Sequence, residues 1–466
     1  MTSNKSYFDA VSTPAAHQRE VRLVHNERSV YEVLNNTSAS NWGRTHLVAL
    51  RVLVRGRKNA ELLPLIASNS FAQPFVTILT AAIATDADPF WSAYPESRAA
   101  LSGILRGRDS NEYGETKLSE YEILKSGKDL SLGRVWAALN RLESPLEGLI
   151  PQSVEADLAS DYGDDHTAAS ETQSVDENED GDGDVDHGGG SRSINVRLKH
   201  APATPPSPNL PPPKRTRHAP QDYPGMVTFD HRVQIGDGSP GTAATLSSPH
   251  SAFVPESEAV SGRSPAEDLT LDFVAALFRH LLLHIPPQHA YDRATDHLSP
   301  VDFDVLKLTL RSVVGRAAFT SVDDGGLWIK PLAALSRARV AIIETKRSLT
   351  RIVDGRPDFS DELLAQVVGE SLAVRLRSEK VWAGPKDSIF VIVAAKYFVR
   401  FLEIGISDRY LENLQGHVAT QDPFQEFITV DHTTWFDFRD ATDRLKIMRN
   451  TSGIVAVVQH NLVSSA

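Results

Sequence analysis

The segment from Pro151 to Pro265 limits how this chain can fold more than any other feature of its sequence. It begins with an acidic tract, Glu155 to Asp186, which contains thirteen Asp and Glu residues and no Lys or Arg. A proline-rich stretch with basic residues follows. Such a composition offers too little apolar surface to offset the entropy that the chain loses on ordering. We therefore predict a disordered linker over residues 150–265 that separates two folded parts.

The bulk composition excludes several kinds of chemistry. The chain has 466 residues, which is more than one ordinary domain, so two or more domains are expected. The acidic tract accounts for the whole net charge of −12, and the nearly neutral remainder indicates little about what the folded parts bind. Because the chain has no cysteine, disulfides, thiolate zinc ligands and cysteine nucleophiles are excluded.

Two features bear on the cellular location. The beginning of the chain is polar, without the apolar core of a signal peptide, and no apolar run reaches the roughly 18 to 20 residues of a membrane span. We expect a soluble intracellular protein with no membrane partner. Pro213-Lys214-Arg215-Thr216-Arg217 resembles a short nuclear-import signal, and the alternative is a solubilising basic cluster in a linker. The expected location is nuclear or cytoplasmic, with the nucleus favoured.

Residues 17–149 show helical periodicity, which predicts a mainly α-helical N-terminal domain whose role the sequence does not indicate. We expect one helix from Arg22 to Leu34 and one or two between Leu50 and Ile66. The apolar spacing of Val135, Trp136, Leu139 and Leu142 predicts another. A basic cluster around Arg51 is either a phosphate-facing surface or, as we expect, a solvated helix face.

Residues 266–466 carry mixed periodicity, which predicts an α/β domain with a mixed sheet. A helix is expected over Leu269–Leu283, and a second is expected to begin at Ser299-Pro300 and to include Phe303 and Val313. Later helices are expected to begin near Ser360, Ser407 and Ala441, the last of them with a break near Gly453. Short apolar runs predict strands at Leu327–Ile329, Arg339–Ile343, Ser388–Ala394, Tyr397–Ile404 and Phe427–Val430.

Glu344-Thr345-Lys346 ends one of these apolar strands and is the motif that points to chemistry. Side chains alternate along a strand, so Glu344 and Lys346 point to the same face. A carboxylate can hold Mg²⁺ there, and a lysine can orient a water or neutralise the charge that develops during phosphodiester cleavage. A second carboxylate must come from a neighbouring element, and Asp324 or Asp323, just before the preceding strand, is the natural candidate. The tripeptide alone is weak evidence, because it recurs at Glu115-Thr116-Lys117 without a preceding apolar strand.

The order of strand, Glu-x-Lys, loop, amphipathic helix and very apolar strand resembles the PD-(D/E)XK nuclease superfamily, over roughly Ser299 to Phe401. The resemblance implies a restriction-endonuclease-like fold in which the acids and the lysine lie on adjacent central strands. Some members carry a glutamine on the following helix, and Gln366 is the matching position. No proline precedes Asp323 or Asp324, so the Pro-Asp half of the family motif is not present letter for letter in this sequence. The segments around Glu344, Ser360 and Phe390 also resemble a group of fungal proteins, which suggests a eukaryotic source but implies no reaction.

The resemblance implies four catalytic residues, namely Asp324, Glu344, Lys346 and Gln366, with Asp324 and Glu344 as Mg²⁺ ligands. Each has a simpler alternative: Glu344 in a strand-end salt bridge, Lys346 as a solvated lysine, Asp324 as a turn cap and Gln366 as an interface amide. We expect Asp302 and Asp304 to stabilise the first turn of a helix rather than to join the site.

Two functions follow from this interpretation. The first is a Mg²⁺-dependent nuclease, or a nuclease-derived nucleic-acid-binding protein, acting in the nucleus. The second is a catalytically inactive scaffold that recruits protein partners through the linker.

A pair of histidines stands apart from this motif. His280 and His284 have the i, i+4 spacing of metal ligands on one helix face, but no third ligand is evident in the sequence, so we expect no zinc site.

Overall fold

A computed structural model describes thirteen stretches of the chain. They are residues 5–24, 29–56, 60–81, 89–107, 123–124, 129–143, 267–292, 300–330, 337–346, 352–353, 355–377, 381–416 and 426–465. All of them belong to one compact unit, which is formed by Met1–Pro151 and Pro255–Ala466. The second unit, Gln152–Val254, and with it the predicted linker and import-like cluster, lies outside the described residues.

A mixed β-sheet forms the centre of the described unit. Its strands along the sheet are β2 (Val52–Val54), β12 (Ile428–His432), β11 (Phe398–Gly405), β10 (Ser388–Ala395), β7 (Ala338–Lys346), β6 (Gly326–Ile329) and β3 (Val301–Asp304). The pairs β2–β12 and β10–β7 are parallel and the other pairs are antiparallel, and β13 (Phe436–Asp437) pairs with β11. The predicted α/β class with a mixed sheet is therefore confirmed.

Two smaller sheets accompany the central one. β1 (Thr37–Ser38), β5 (Ala317–Val322) and β4 (Thr309–Val314) form one, and β8 (Ile352–Val353) pairs with β9 (Arg356–Pro357) in the other. The helices before the second unit are α1 (Tyr7–Ala10), α2 (Pro14–Val24), α3 (Val30–Leu34), α4 (Arg44–Ala49), α5 (Pro64–Ser68), α6 (Gln73–Ala81), α7 (Pro89–Ala93), α8 (Pro95–Arg106) and α9 (Leu130–Glu143). Those after it are α10 (Glu267–His284), α11 (Pro286–Asp292), α12 (Asp361–Arg375), α13 (Asp408–Gly416) and α14 (Ala441–Ser465).

Helix α12 is buried on every side. Each residue from Leu363 to Arg375 is buried, because the helix contacts β10 of the central sheet and β4 and β5 of the small sheet. Its first turn is fixed by the predicted N-cap, since the Ser360 hydroxyl accepts a hydrogen bond from the backbone N–H of Leu363 at 3.2 Å. A helix that is enclosed in this way presents its polar side chains to the interior of the fold.

The helix predicted from Ser299-Pro300 through Val313 is wrong. β3 and β4 occupy this stretch, so Asp302 and Asp304 lie on a strand rather than in a first helical turn. Val301 and Phe303 are buried and alternate with those two acids, which is the period of a strand. Gly315, with a φ of 56°, then provides the left-handed conformation that turns β4 into β5. The break expected in the last helix is also absent, because α14 continues through Gly453.

The N-terminal residues contribute to the central sheet. Val52–Val54, which the sequence predicts as helical, forms strand β2 and pairs in parallel with β12. Hydroxyl groups tie the surrounding segments together, because Tyr7 donates to the carbonyl of Val52 at 2.8 Å and Tyr410 to that of Leu50 at 2.8 Å. The predicted boundary between a helical N-terminal domain and a C-terminal domain therefore does not coincide with a division of the fold.

No helix among the described residues is long and apolar enough to cross a membrane.

Candidate active site

The site lies where the start of β6 meets the end of β7. The two strands are antiparallel with Gly326 opposite Ile342, so the residues before β6 lie beside the last residues of β7. Two glycines permit this close approach. A Cβ on Gly325 would stand 2.7 Å from the carbonyl oxygen of Asp304, and one on Gly326 would stand 2.2 Å from that of Ala341. The Gly-Gly pair therefore brings Asp323 and Asp324 against the strand that carries Glu344.

Glu344, Lys346 and Gln366 form a closed triangle of hydrogen bonds. The ammonium group of Lys346 donates to Glu344 Oε1 at 2.7 Å and to Gln366 Oε1 at 2.8 Å. The Gln366 amide donates in turn to Glu344 Oε1 at 2.7 Å. Glu344 is 1% exposed, whereas the side chain of Lys346 is 31% exposed. The predicted site residues of β7 and α12 are thus in contact, with the lysine on the solvent side.

Asp324 lies beside this triangle but interacts with a different residue of β7. Its Oδ2 accepts hydrogen bonds from the backbone N–H of Thr345 at 3.0 Å and from the Thr345 hydroxyl at 2.9 Å. Its Oδ1 forms an ion pair with Lys307 at 3.1 Å. The Thr345 side chain points to the sheet face opposite Glu344, because side chains alternate along a strand. Asp324 therefore reaches the edge of β7 between Glu344 and Lys346, with its carboxylate bound on the Thr345 side.

Asp323 forms a buried ion pair with Arg339. One guanidinium nitrogen of Arg339, Nη2, lies 2.9 Å from Asp323 Oδ1 and 2.6 Å from Oδ2. Burial raises the pKa of Asp323 to about 6 even though Arg339 acts in the opposite direction. Asp323 Oδ1 also accepts hydrogen bonds from the backbone N–H groups of Leu308 and Gly325. These bonds stabilise the turn before β6, on which Asp324 lies.

Glu370 is a site carboxylate that our sequence analysis does not identify. It lies one helical turn after Gln366, whose amide donates to Glu370 Oε1 at 3.0 Å as well as to Glu344. Burial, and next the negative charge of Glu344, raise the pKa of Glu370 well above its usual value. Its burial and the charge of Glu344 therefore favour the protonated form of Glu370. Glu370 follows Gln366 at i, i+4 spacing, which places both side chains on one face of the helix, and this spacing is the sequence pattern that points to Glu370.

A cavity of about 390 Å³ opens over the triangle. Lys346 and Gln366 line it, and the remaining wall combines small, acidic and apolar residues from several elements: Ser40, Pro357, Asp358, Ser360, Glu362, Leu363, Ala395 and Trp435. Among the described residues that line it, Lys346 is the cation. Lys346 and Gln366 are thus accessible from this cavity, and Glu344 lies behind them.

Arg400 is a second cation on the same face of the sheet. Val393 is the register partner of both Glu344 and Arg400, so those two side chains share a face two strand spacings apart, or about 10 Å. The guanidinium carbon lies 4.8 to 5.5 Å from the ring centroids of Phe8, Trp435 and Phe359. Its Nε donates to the carbonyl of Thr433 at 2.9 Å. Burial lowers the pKa of Arg400 to about 9, so this cation is held in an aromatic enclosure beside the cavity wall formed by Trp435.

A cluster of metal-ligating residues occurs elsewhere in the described unit. Among the described residues, one group of three or more His, Asp or Glu side chains has ligating atoms within 4.8 Å of one another. It consists of Asp129, His280 and His284, none of which belongs to the Glu344 triangle. Comparisons with models of known families, with curated proteins and with solved structures give no match for this chain.

Proposed function

We propose that this protein is a Mg²⁺-dependent nuclease that hydrolyses phosphodiester bonds of nucleic acid. The observation that carries the proposal is the hydrogen-bonded triangle of Glu344, Lys346 and Gln366, of which Lys346 and Gln366 line an open cavity. A buried carboxylate, a lysine and an amide that converge under an opening are the groups that this reaction needs, since it requires charge stabilisation and an oriented water. A purely structural ion pair has no need of the amide or of the opening.

The order of elements supports the same proposal. Helix α10 is followed by the antiparallel strands β3, β6 and β7, then by helix α12 and by β10, which is parallel to β7. The β4–β5 hairpin is inserted between β3 and β6. The resemblance to the PD-(D/E)XK superfamily implies a central lysine strand and a following helix against the sheet, and these elements support it.

The donor atoms suit Mg²⁺. Asp324 and Glu344 supply the hard carboxylate oxygens that this ion prefers, and Asp324 would have to turn from Thr345 toward the face of Glu344 to bind it. Bound Mg²⁺ would supply Lewis-acid stabilisation of the charged phosphate and a water of lowered pKa. We propose Asp324 and Glu344 as its ligands.

The remaining residues act on the phosphate and on the water. Lys346, held at the mouth of the cavity, neutralises negative charge that builds on the phosphate oxygens. Gln366 keeps Glu344 and Lys346 in one orientation through its two bonds to them. Arg400 lies on the same face two strand spacings, or about 10 Å, from Glu344, and we assign it the role of a second anion contact.

A catalytically inactive scaffold is the second candidate, and one observation favours it. The Asp324 carboxylate is bound by Thr345 and Lys307, and Glu344 is neutralised by Lys346. In a scaffold these contacts would simply close the end of the sheet.

Cleavage of supercoiled plasmid, single-stranded DNA and RNA by the full chain, in Mg²⁺ and in EDTA, separates the candidates. Removal of one group that stabilises transition-state charge typically costs about 100-fold to 1,000-fold in rate. We expect a loss of this size for Lys346→Ala and for Glu344→Gln. The matched control is Lys117→Ala, which removes the same residue from the second Glu-Thr-Lys tripeptide of the chain. Wild-type protein that binds nucleic acid but does not cleave it in Mg²⁺ would refute the nuclease and support the scaffold.

A further inference from the structure

The residues Asp129, His280 and His284 converge at the start of helix α9. Asp129 immediately precedes α9, and the two histidines lie one turn apart on α10. Asp129 Oδ2 is 3.9 Å from His280 Nδ1 and 3.7 Å from His284 Nε2. His280 is fully buried, and the other two side chains are partly exposed. The third ligand that the sequence does not reveal therefore comes from a residue about 150 positions earlier.

The two oxygens of Asp129 have different surroundings. Oδ1 caps helix α9, because it accepts the backbone N–H groups of Ser131 at 2.8 Å and Leu132 at 3.2 Å and the Ser131 hydroxyl at 2.6 Å. These bonds fix the carboxylate and direct Oδ2 at the imidazoles. The distances of Oδ2 to both nitrogens are longer than hydrogen bonds. In a tetrahedral site with metal–ligand bonds of about 2.0 to 2.1 Å, two ligand atoms lie about 3.3 Å apart, and both measured distances are close to this value.

Both imidazoles can act as ligands. Imidazole nitrogens are common ligands of metal ions, and both rings are largely withdrawn from solvent, since the His280 side chain is fully buried and that of His284 is 19% exposed. The Ser131 hydroxyl lies 2.7 Å from His280 Nδ1 and 2.6 Å from Asp129 Oδ1, so it bridges these two groups. An ion that binds His280 Nδ1 would replace the contact of this nitrogen with the hydroxyl, which would keep its bond to Asp129.

We propose that Asp129, His280 and His284 form a zinc site. Two imidazoles and one carboxylate suit Zn²⁺ better than Mg²⁺, which prefers oxygen ligands. Three protein ligands leave one position for water or a small anion. His280 and Ser131 also line a cavity of about 600 Å³, which gives this position contact with solvent. The ion would link a residue that precedes the second unit to a helix that follows it, so its main effect would be to stabilise the fold.

Zinc binding to the full-length protein tests the proposal without any measurement of nuclease activity. Titration calorimetry with Zn²⁺ on chelator-treated protein should give one site per chain, and Zn²⁺ should raise the melting temperature of the wild type but not that of Asp129→Asn. Asp129→Asn retains a side chain that can cap α9 and removes the anionic ligand, and His284→Ala removes one imidazole. We expect each to weaken zinc binding at least tenfold, whereas His460→Ala, a histidine of α14 stacked on Phe71, should not.

Several results would overturn the zinc site. A stoichiometry well below one, or an affinity that Asp129→Asn and His284→Ala leave unchanged, would show that these residues do not bind the ion. An equal loss in His460→Ala would point to nonspecific binding. If His284→Ala fails to fold, Asp129→Asn decides the matter. Because no outcome depends on cleavage, the zinc site and the proposed nuclease can fail independently.

Discussion

Replacement of Asp323 by Asn tests what stabilises the turn that positions Asp324 beside the candidate active site. Arg339 is fully buried, and Asp323 is the acid that pairs with it. The same guanidinium lies 3.7 Å from the ring centroid of Trp328 and donates to the carbonyl of Leu306 at 3.3 Å. Asp323→Asn keeps an acceptor for the backbone N–H groups of Leu308 and Gly325, so the change removes mainly the negative charge. The cation of Arg339 is then left buried without its counter-ion.

The expected cost follows from the burial of this pair. Removing one member of a buried ion pair destabilises a protein by about 3 to 5 kcal/mol, whereas replacing both members is often neutral. We therefore expect Asp323→Asn to lower the free energy of unfolding by about 3 to 5 kcal/mol. The double variant Asp323→Asn with Arg339→Met should lose no more than about 1 to 2 kcal/mol, because no buried charge remains. The coupling energy should thus be at least about 2 kcal/mol.

The single variant Arg339→Met should depend on pH. Burial already raises the pKa of Asp323 to about 6 in the presence of Arg339, and removal of this cation raises the pKa further. An acid whose pKa is raised by folding holds its proton more tightly in the folded protein, so stability is greatest below the unfolded value and falls as the pH rises through the folded value. Arg339→Met should therefore cost less at pH 5 than at pH 8.

Urea unfolding followed by tryptophan fluorescence measures the free energy of unfolding at pH 5 and pH 8. The four proteins compared are the wild type, Asp323→Asn, Arg339→Met and the double variant. The raised pKa of Asp323 should contribute a loss of stability to the wild type as the pH rises from about 4 to about 6, and Asp323→Asn should lack this contribution. A cost below about 1 kcal/mol for Asp323→Asn, or additive effects in the double variant, would refute the argument that this pair is a coupled buried unit.

Three further predictions concern helix α12. Glu370→Gln should stabilise the protein at pH 8 more than at pH 4, because the raised pKa of Glu370 makes its ionised form unfavourable in the folded state; urea unfolding at both pH values measures this. Ser360→Ala should cost about 1 kcal/mol through loss of the N-cap, measured by the shift in the urea midpoint, with Ser464→Ala as an exposed control. Gly369→Ala should destabilise by about 1 to 3 kcal/mol, because a Cβ there would stand 2.7 Å from Trp42 and from Ala39; an unchanged melting temperature would contradict this packing.

Local patterns predict the elements that carry the site. The apolar run before Glu344 forms β7, and the N-cap at Ser360 begins α12 as expected. Alternation along β7 places Glu344 and Lys346 together, and Gln366 meets them from the helix. These predictions succeed because each rests on neighbours in sequence: strand period, capping and turn chemistry.

The misses all depend on partners that are distant in sequence. β3 and β4 contain enough apolar residues to fit a helical spacing, and only their pairing with β6 and β5 selects the strand conformation. β2 is a strand because β12, nearly 380 residues later, hydrogen-bonds to it. The carboxylate of Asp324 is directed by Thr345 and Lys307, and the position of Asp129 near His280 depends on how two helices meet. No local spacing carries this information.

The pairing of β2 with β12 means that one compact unit is built from two separate stretches of chain, with Gln152–Val254 between them. A protease cut within that intervening segment would leave two fragments that share one sheet and one core. Such fragments should remain associated after the cut, and separately expressed fragments should assemble into the same unit. The midpoint of unfolding would then depend on protein concentration, as for a heterodimer, whereas that of the intact chain would not. The intervening segment thus acts as a covalent tether that makes an assembly reaction intramolecular.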